Sequence, residues 1–146
     1  MKTVAQMLNG KVHSQVHTIA AAATMFEALQ VMAAHNVGAL PVIEDGALVG
    51  IVSERDYARR GVLQGRSSLA TPVREFMSAP VIRVASRQSI RECMSLMTGR
   101  HLRHLPVVDD GVLVGMLSIG DLVKETLAEQ DGLILHLEQY IRGEVA

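Results

Sequence analysis

Leu40-Pro41-Val42-Ile43-Glu44-Asp45-Gly46-Ala47-Leu48-Val49-Gly50-Ile51-Val52-Ser53-Glu54-Arg55-Asp56 is written a second time, as Leu105-Pro106-Val107-Val108-Asp109-Asp110-Gly111-Val112-Leu113-Val114-Gly115-Met116-Leu117-Ser118-Ile119-Gly120-Asp121. Pro41 and Pro106, Gly50 and Gly115, Ser53 and Ser118, Asp56 and Asp121 all stand at one offset (106 − 41 = 65), with nothing inserted between them. The chain is therefore a duplicated module. Asp-Gly between two apolar runs reads as a hairpin turn, because glycine accepts the positive φ that such turns need. Each copy presents a hairpin, and each hairpin ends in Ser-x-x-Asp at the expected start of a helix.

Working outward, the order in each copy is strand, helix, strand, strand, helix, an α+β pattern. Thr24 with Glu27 and Ser89 with Glu92 form paired capping boxes. They open helices whose apolar positions, Met25, Ala28, Leu29 and Met32 or Ile90, Cys93, Met94 and Met97, keep a period of 3.6. The helix after the first hairpin is expected to stop around Gly61. Upstream of each copy lies a short apolar segment, Val4 to Leu8 and Val73 to Met77. The connection from segment to strand is longer in the first copy, through residues 9 to 15, so that copy carries a small insertion. These signals divide the chain into a first repeat at 1–62, a Gly- and Ser-containing linker at 63–72, a second repeat at 73–127 and a C-terminal helix at 128–146. That last helix places Leu133, Ile134, Leu137, Tyr140 and Ile141 on one face, either to cap its own domain or to join a partner chain.

Composition narrows the function. The formal net charge of −1 and the 3% of aromatic residues argue against bulk binding to nucleic acid or anionic lipid. Lysines are confined to Lys2, Lys11 and Lys124, so the basic residues are mostly arginine. Arginine suits bidentate phosphate contacts, although genome composition is the better explanation of the skew. Cys93 is the only cysteine, which excludes an internal disulfide and fits a reducing compartment. With no apolar run of signal or membrane length, the expectation is a cytoplasmic protein.

The repeated order of strand, helix, Leu-Pro-Val, Asp-Gly hairpin and Gly-x-x-Ser-x-x-Asp resembles the tandem CBS domain pair, or Bateman module. The resemblance covers residues 4 to 127. Ser-Glu-Arg-Asp-Tyr-Ala-Arg at 53 to 59, Thr-Pro-Val-Arg-Glu at 71 to 75 and Arg-His-Leu-Pro-Val-Val at 103 to 108 look like those of small stand-alone bacterial members, with no catalytic domain attached. It implies two β-α-β-β-α repeats with three-stranded sheets, packed about a pseudo-two-fold axis, and two clefts for adenine nucleotides. AMP and NAD are the favoured ligands, with ADP, ATP and S-adenosylmethionine also known in the family. A homodimer employing the C-terminal helix is implied too.

A nucleotide offers a ribose diol, a phosphate and a flat base. The carboxylate of Asp56 or Asp121 can accept from both ribose hydroxyls, while Ser53 or Ser118 stands at a helix N-terminus that favours phosphate. The bland alternative is that Ser-x-x-Asp is an N-cap, which stabilises a helix by ~1 kcal/mol without any ligand. The recurrence of the motif inside the family pattern favours binding. Arg103 and His104 stand where the first copy has Gly38 and Ala39, so the cleft of Ser118 and Asp121 is expected to be the stronger phosphate site. Its other residues are expected to be Met116, Val37, Gly38 and Ala39, with His13, Val16 and Thr18. The cleft of Ser53 and Asp56 is expected to use Arg55 and Arg59, which are otherwise solvated helix charges, with Pro80, Val81 and Arg83 as its base wall. His13 with His17 and His101 with His104 have helical metal-pair spacing but no predicted helix or converging ligands, so no metal site is expected. No catalytic constellation is visible and no enzymatic activity is expected. The rival to nucleotide sensing is a dimeric interaction protein whose clefts are vestigial.

Overall fold

The computed structural model describes residues 2–10 and 16–143. The first half contains β1 (Ile19–Ala20), α2 (Met25–His35), β2 (Ala39–Glu44) and β3 (Ala47–Ser53), preceded by α1 (Val4–Asn9). A single α-turn, α3 (Glu54–Asp56), follows β3 and widens into a π-helix over Tyr57–Val62. The second half contains α4 (Ile90–Arg100), β4 (His104–Asp109), β5 (Val112–Ser118) and α5 (Ile119–Ile141), after a 3₁₀ turn at Val73–Glu75.

The duplication extends to individual backbone angles. Asp45 and Gly46 turn the first hairpin at φ 51° and 77°, and Asp110 and Gly111 turn the second at 49° and 78°. Both central residues have positive φ, which matches the right-handed twist of the flanking strands. The antiparallel registers agree as well, Leu40 opposite Val52 and Leu105 opposite Leu117, with an irregularity at Val42/Ile43 and again at Val107/Val108. The helices α2 and α4 both end on a left-handed residue, Asn36 and His101. Thr24 and Glu27 make a complete capping box, whereas at α4 Ser89 Oγ accepts from the Glu92 amide.

The sheets are less regular than expected. β1 runs parallel to β2, pairing Ile19 with Val42, so the first sheet has three strands. At the equivalent place in the second half only Val84 bridges Val107, leaving a two-stranded sheet. Val84 still donates to the Pro106 carbonyl at 3.0 Å and accepts from the Val108 amide at 2.8 Å. Residues 119 to 141 form one continuous helix, not a second-repeat helix followed by a separate one.

The two apolar segments upstream of the repeats have exchanged places. Val4 and Met7 are buried with Val84, Ile90, Cys93, Met97, Leu105, Val107, Leu117 and Leu122, the core of the second half. Val73 and Phe76 are buried with Met25, Met32, Leu40, Val42 and Val52, the core of the first. Backbone bonds fasten each exchange. Val4 donates to the Gln88 carbonyl and Ile90 to the Lys2 carbonyl, while Val73 donates to the Ala23 carbonyl and Met25 to the Thr71 carbonyl. Thr3 bridges Ser89 and Pro72 bridges Thr24. These segments stand at an offset of 72 − 3 = 69 instead of 65, which is the insertion in the first copy. Each half-core is thus completed by sequence from the other side of the chain, and each fully buried Val, Leu or Phe adds roughly 1.5–3 kcal/mol.

This exchange explains the glycine of Leu-Val-Gly. A Cβ on Gly50 would lie 2.5 Å from Met77 Sδ and 3.0 Å from the Ser78 carbonyl, and one on Gly115 would lie 2.8 Å from Leu8 Cδ1. The incoming segment passes where a side chain would stand.

Candidate functional site

Both Ser-x-x-Asp motifs are capping boxes. Ser53 Oγ accepts from the Asp56 amide at 3.0 Å, and Asp56 Oδ2 accepts from the Ser53 amide at 2.9 Å and from Ser53 Oγ at 3.0 Å. Ser118 Oγ accepts from the Asp121 amide at 3.1 Å, and Asp121 Oδ2 from the Ser118 amide at 2.9 Å. Capping fixes each carboxylate at a helix start through one of its oxygens. A carboxylate has two oxygens and about four acceptor positions, so capping and ribose recognition are compatible.

The residue before each hairpin closes the same helix start. The Gly38 carbonyl accepts from the Glu54 amide at 3.1 Å, and the Arg103 carbonyl accepts from the Ile119 amide at 2.9 Å. These residues are equivalent by position, yet one has no side chain and the other has the longest cation available. That difference shapes a cleft of about 1110 Å³ between the halves. From the first half it is lined by Gly38, Ile51, Ser53, Glu54, Arg55, Asp56 and Arg59. The connecting segment contributes Ser78, Pro80, Val81 and Ile82, and the second half Met97, Thr98, His101, Leu102, Arg103, His104 and Ile119.

Arg103 and His104 therefore line the cleft of Ser53 and Asp56, whereas the sequence pattern assigns them to Ser118 and Asp121, whose carboxylate also acts on His104. The physical reason is that backbone and side chain part company. The Arg103 backbone is held at the start of α5, while its guanidinium stands close enough to Arg55 to be the largest cause lowering the Arg55 pKa, ahead of Arg59 and partial burial and opposed by Asp56. Among the described residues Arg55, Arg59 and Arg103 have no ion-pair partner, unlike Arg66 with Glu75 and Arg74 with Glu44. His104 has its pKa lowered, chiefly by burial, with Asp121 raising, Arg103 lowering and Asp56 raising it. It sits within electrostatic reach of both motif aspartates.

Pro80 and Val81 line this cleft, whereas Arg83 is exposed and off the lining, with the half-buried Ile82 in its stead. Extended backbone alternates its faces, so adjacent residues do not share a wall. Gly38 was expected on the other cleft and lies on this one. Val16, Thr18, Val37, Ala39, Met116, Ser118 and Asp121 are outside this lining, Ala39 being buried in its sheet and Thr18 and Val37 exposed. His13 lies outside the described residues. His101, Thr98 and Met97 were not expected. The left-handed turn ending α4 points to His101, since a helix carried to that terminus delivers its last turn to the cleft.

Among the described residues no group of three or more His, Cys, Asp or Glu side chains is placed to hold a metal ion. His17 instead stacks on His35, their rings 3.4 Å apart. Burial, then Glu92, pushes the Cys93 thiol up to about 11, which suits a structural cysteine.

The CBS domain family matches residues 7–62 and 73–128. The chain belongs to this family, as a tandem pair. A relative from Arabidopsis thaliana, the CBS domain-containing protein CBSX3, mitochondrial, is 41% identical over 125 residues, which cover 82% of this chain and 61% of that protein. The chain thus spans less than two thirds of that CBS relative's length. Among solved structures, a protein with CBS domains from Burkholderia ambifaria MC40-6 is 48% identical, with a TM-score of 0.84 over 88% of this chain and 96% of its own. CBSX2 in complex with AMP is 26% identical, with a TM-score of 0.73 over 89% of this chain and 99% of its own. The CBS pair accounts for the mixed α+β repeats and for the helices at each end.

Proposed function

We propose that this CBS pair is a regulatory module that binds an adenine nucleotide in the cleft between its halves, without catalysing a reaction. The observation that carries the reading is the convergence of Ser53 and Asp56 from one copy with Arg103 and His104 from the other. Asp56 would accept from the ribose, the arginines would hold phosphate, and Pro80, Val81 and Ile82 would face the base. AMP and NAD are natural first ligands to test, with ADP, ATP and S-adenosylmethionine beside them, and the AMP complex of CBSX2 supports that choice. A ligand touching both halves would favour one arrangement of the pair over another in proportion to its difference in affinity.

The test is a melting-temperature panel over AMP, ADP, ATP, NAD, NADH and S-adenosylmethionine, followed by calorimetry. A ligand at 100 times its Kd should stabilise the fold by ~2.7 kcal/mol. Asp56→Ala should weaken binding tenfold or more, and so shrink the shift at a fixed ligand concentration, while leaving a folded protein. If no nucleotide moves the transition at millimolar concentration, the reading is wrong.

A second reading, an interaction protein with vestigial clefts, is favoured by α5. Leu133, Ile134, Leu137, Tyr140 and Ile141 are all at least half exposed, so they do not cap their own domain. The two readings agree on a homodimer through α5 and part on nucleotide. Leu137→Glu should convert the dimer to monomer in sedimentation. The lone, buried Cys93 supports a reducing compartment such as the cytoplasm. No helix among the described residues is long and apolar enough to cross a membrane.

A further inference from the structure

The charges around the cleft differ from what one phosphate requires. Three guanidiniums face it, Arg55 and Arg59 from the first half and Arg103 from the second. Among the described residues none of them is ion-paired. The acids on the same lining are Glu54 and Asp56, so the three arginines exceed the carboxylates by one (3 − 2 = 1), and Asp56 caps α3 through one of its oxygens. His101 and His104 add two further nitrogen-bearing rings from the second half.

Arginines that outnumber the carboxylates beside them repel one another, and an anion placed among them relieves that repulsion while gaining charge-assisted hydrogen bonds. The mutual effect is seen in Arg55, whose proton is held less firmly because of Arg103 and then Arg59. A single phosphate presents its oxygens within a small radius and meets one or two guanidinium forks. Two linked phosphates extend the anion along the cleft, so forks from opposite halves can each take their own phosphate. The cleft, at about 1110 Å³, also exceeds the usual range for a single small ligand.

We infer that the cleft selects adenosine ligands bearing a pyrophosphate, holding it between Arg55 and Arg59 on one side and Arg103 on the other. This rests on the nucleotide reading above and narrows it. Adenosine monophosphate is the weaker ligand, and a sulfonium such as S-adenosylmethionine is disfavoured by its positive charge. Nucleoside di- and triphosphates and dinucleotides share the selected chemistry.

The test is calorimetry on the full chain in magnesium-free buffer, with adenosine, AMP, ADP, ATP, NAD and S-adenosylmethionine as probes. ADP should bind about tenfold or more tightly than AMP, the scale of one additional charge-assisted contact. Raising salt should narrow that gap, because the arginines are exposed. Arg103→Gln should bring ADP to the affinity of AMP while leaving adenosine unchanged, and Arg55→Gln should act in the same direction. The preference of NAD over ATP, or the reverse, identifies which pyrophosphate source the cleft favours. Equal affinities for AMP and ADP, or S-adenosylmethionine binding as tightly as ADP, would overturn this inference and leave the nucleotide reading standing. Absence of binding by every probe, adenosine included, would overturn both.

Discussion

The two hairpin-to-helix junctions have the same backbone and different surroundings. Ser53 and Ser118 cap their helices with matching geometry, and Gly38 and Arg103 offer the same carbonyl to the same helix position. Beyond the backbone they diverge. The first junction leads into a short α-turn and a π-helix that presents Arg59, with Arg55 just before it; the second leads into a 23-residue helix. At the strand entrance the first copy has Gly38 and Ala39 and the second has Arg103 and His104. Duplication therefore conserves the device that builds a junction, while side chains decide which charges surround it. The first copy lines the cleft with Arg55 and Arg59, and the second adds Arg103 and His104.

The largest expected effect probes the shared device. Each Leu-Val-Gly glycine makes room for a segment from elsewhere, but the obstacles differ. At Gly50 a new methyl meets the Met77 thioether and the Ser78 carbonyl, whose oxygen already accepts from Ile51. At Gly115 it meets the Leu8 side chain, closest at its two terminal methyls, and no backbone atom stands among these nearest neighbours. Gly50→Ala should cost about 1–3 kcal/mol by overpacking, and Gly115→Ala clearly less. Chemical denaturation of the two variants reads the difference. Equal losses would mean that the two exchanged segments yield alike.

Next in size is the contrast between the aspartates. Asp56→Ala and Asp121→Ala each remove one capping interaction and should each lower stability by ~1 kcal/mol. Only Asp56→Ala should also weaken nucleotide binding, by tenfold or more in calorimetry. A comparable loss of affinity in Asp121→Ala would relocate the site to the second junction. Arg103→Gln belongs with Asp56 in this test, since Arg103 lines the cleft of the first junction although its carbonyl closes the second.

Much of the fold was legible because it is local. Asp-Gly turns, capping residues and apolar periodicity are read within a few residues, and the 65-residue offset repeats them. The exchange of Val4–Leu8 with Val73–Met77 was not legible, because an apolar segment declares that it will be buried without declaring in which core. The missing strand at Val84 has a similar origin, since one residue bridging Val107 carries the alternation of a strand without its length. In the candidate site, Ser53, Arg55, Asp56, Arg59, Pro80 and Val81 share one lining, and their closeness follows from the hairpin junction and the segment that crosses it. Arg103 and His104 were assigned by the motif that follows them in sequence. An arginine is long enough to leave its own copy, and neither spacing nor composition encodes that reach.

The smallest effect isolates a group that exists at only one junction. His104 is held below its ordinary pKa mainly by burial, against the attraction of Asp121 and Asp56, and the equivalent residue in the first half is Ala39. A histidine that binds its proton less readily when folded leaves the unfolded chain taking up more protons as pH falls. Its contribution is therefore intact above about pH 6.5 and is lost as pH falls below that value, levelling off once the folded group is itself protonated. His104→Gln should make the melting temperature fall less steeply between about pH 6.5 and pH 5. His17 is shifted in the same direction, by burial and then by His35, but it is present in both proteins and cancels in the difference. A bound phosphate beside His104 favours the charged imidazole, so saturating ADP should shrink the difference between wild type and His104→Gln. If the difference is unaffected by ADP, the phosphate does not sit beside the second copy's histidine, and the asymmetry of the junctions rests on the arginines alone.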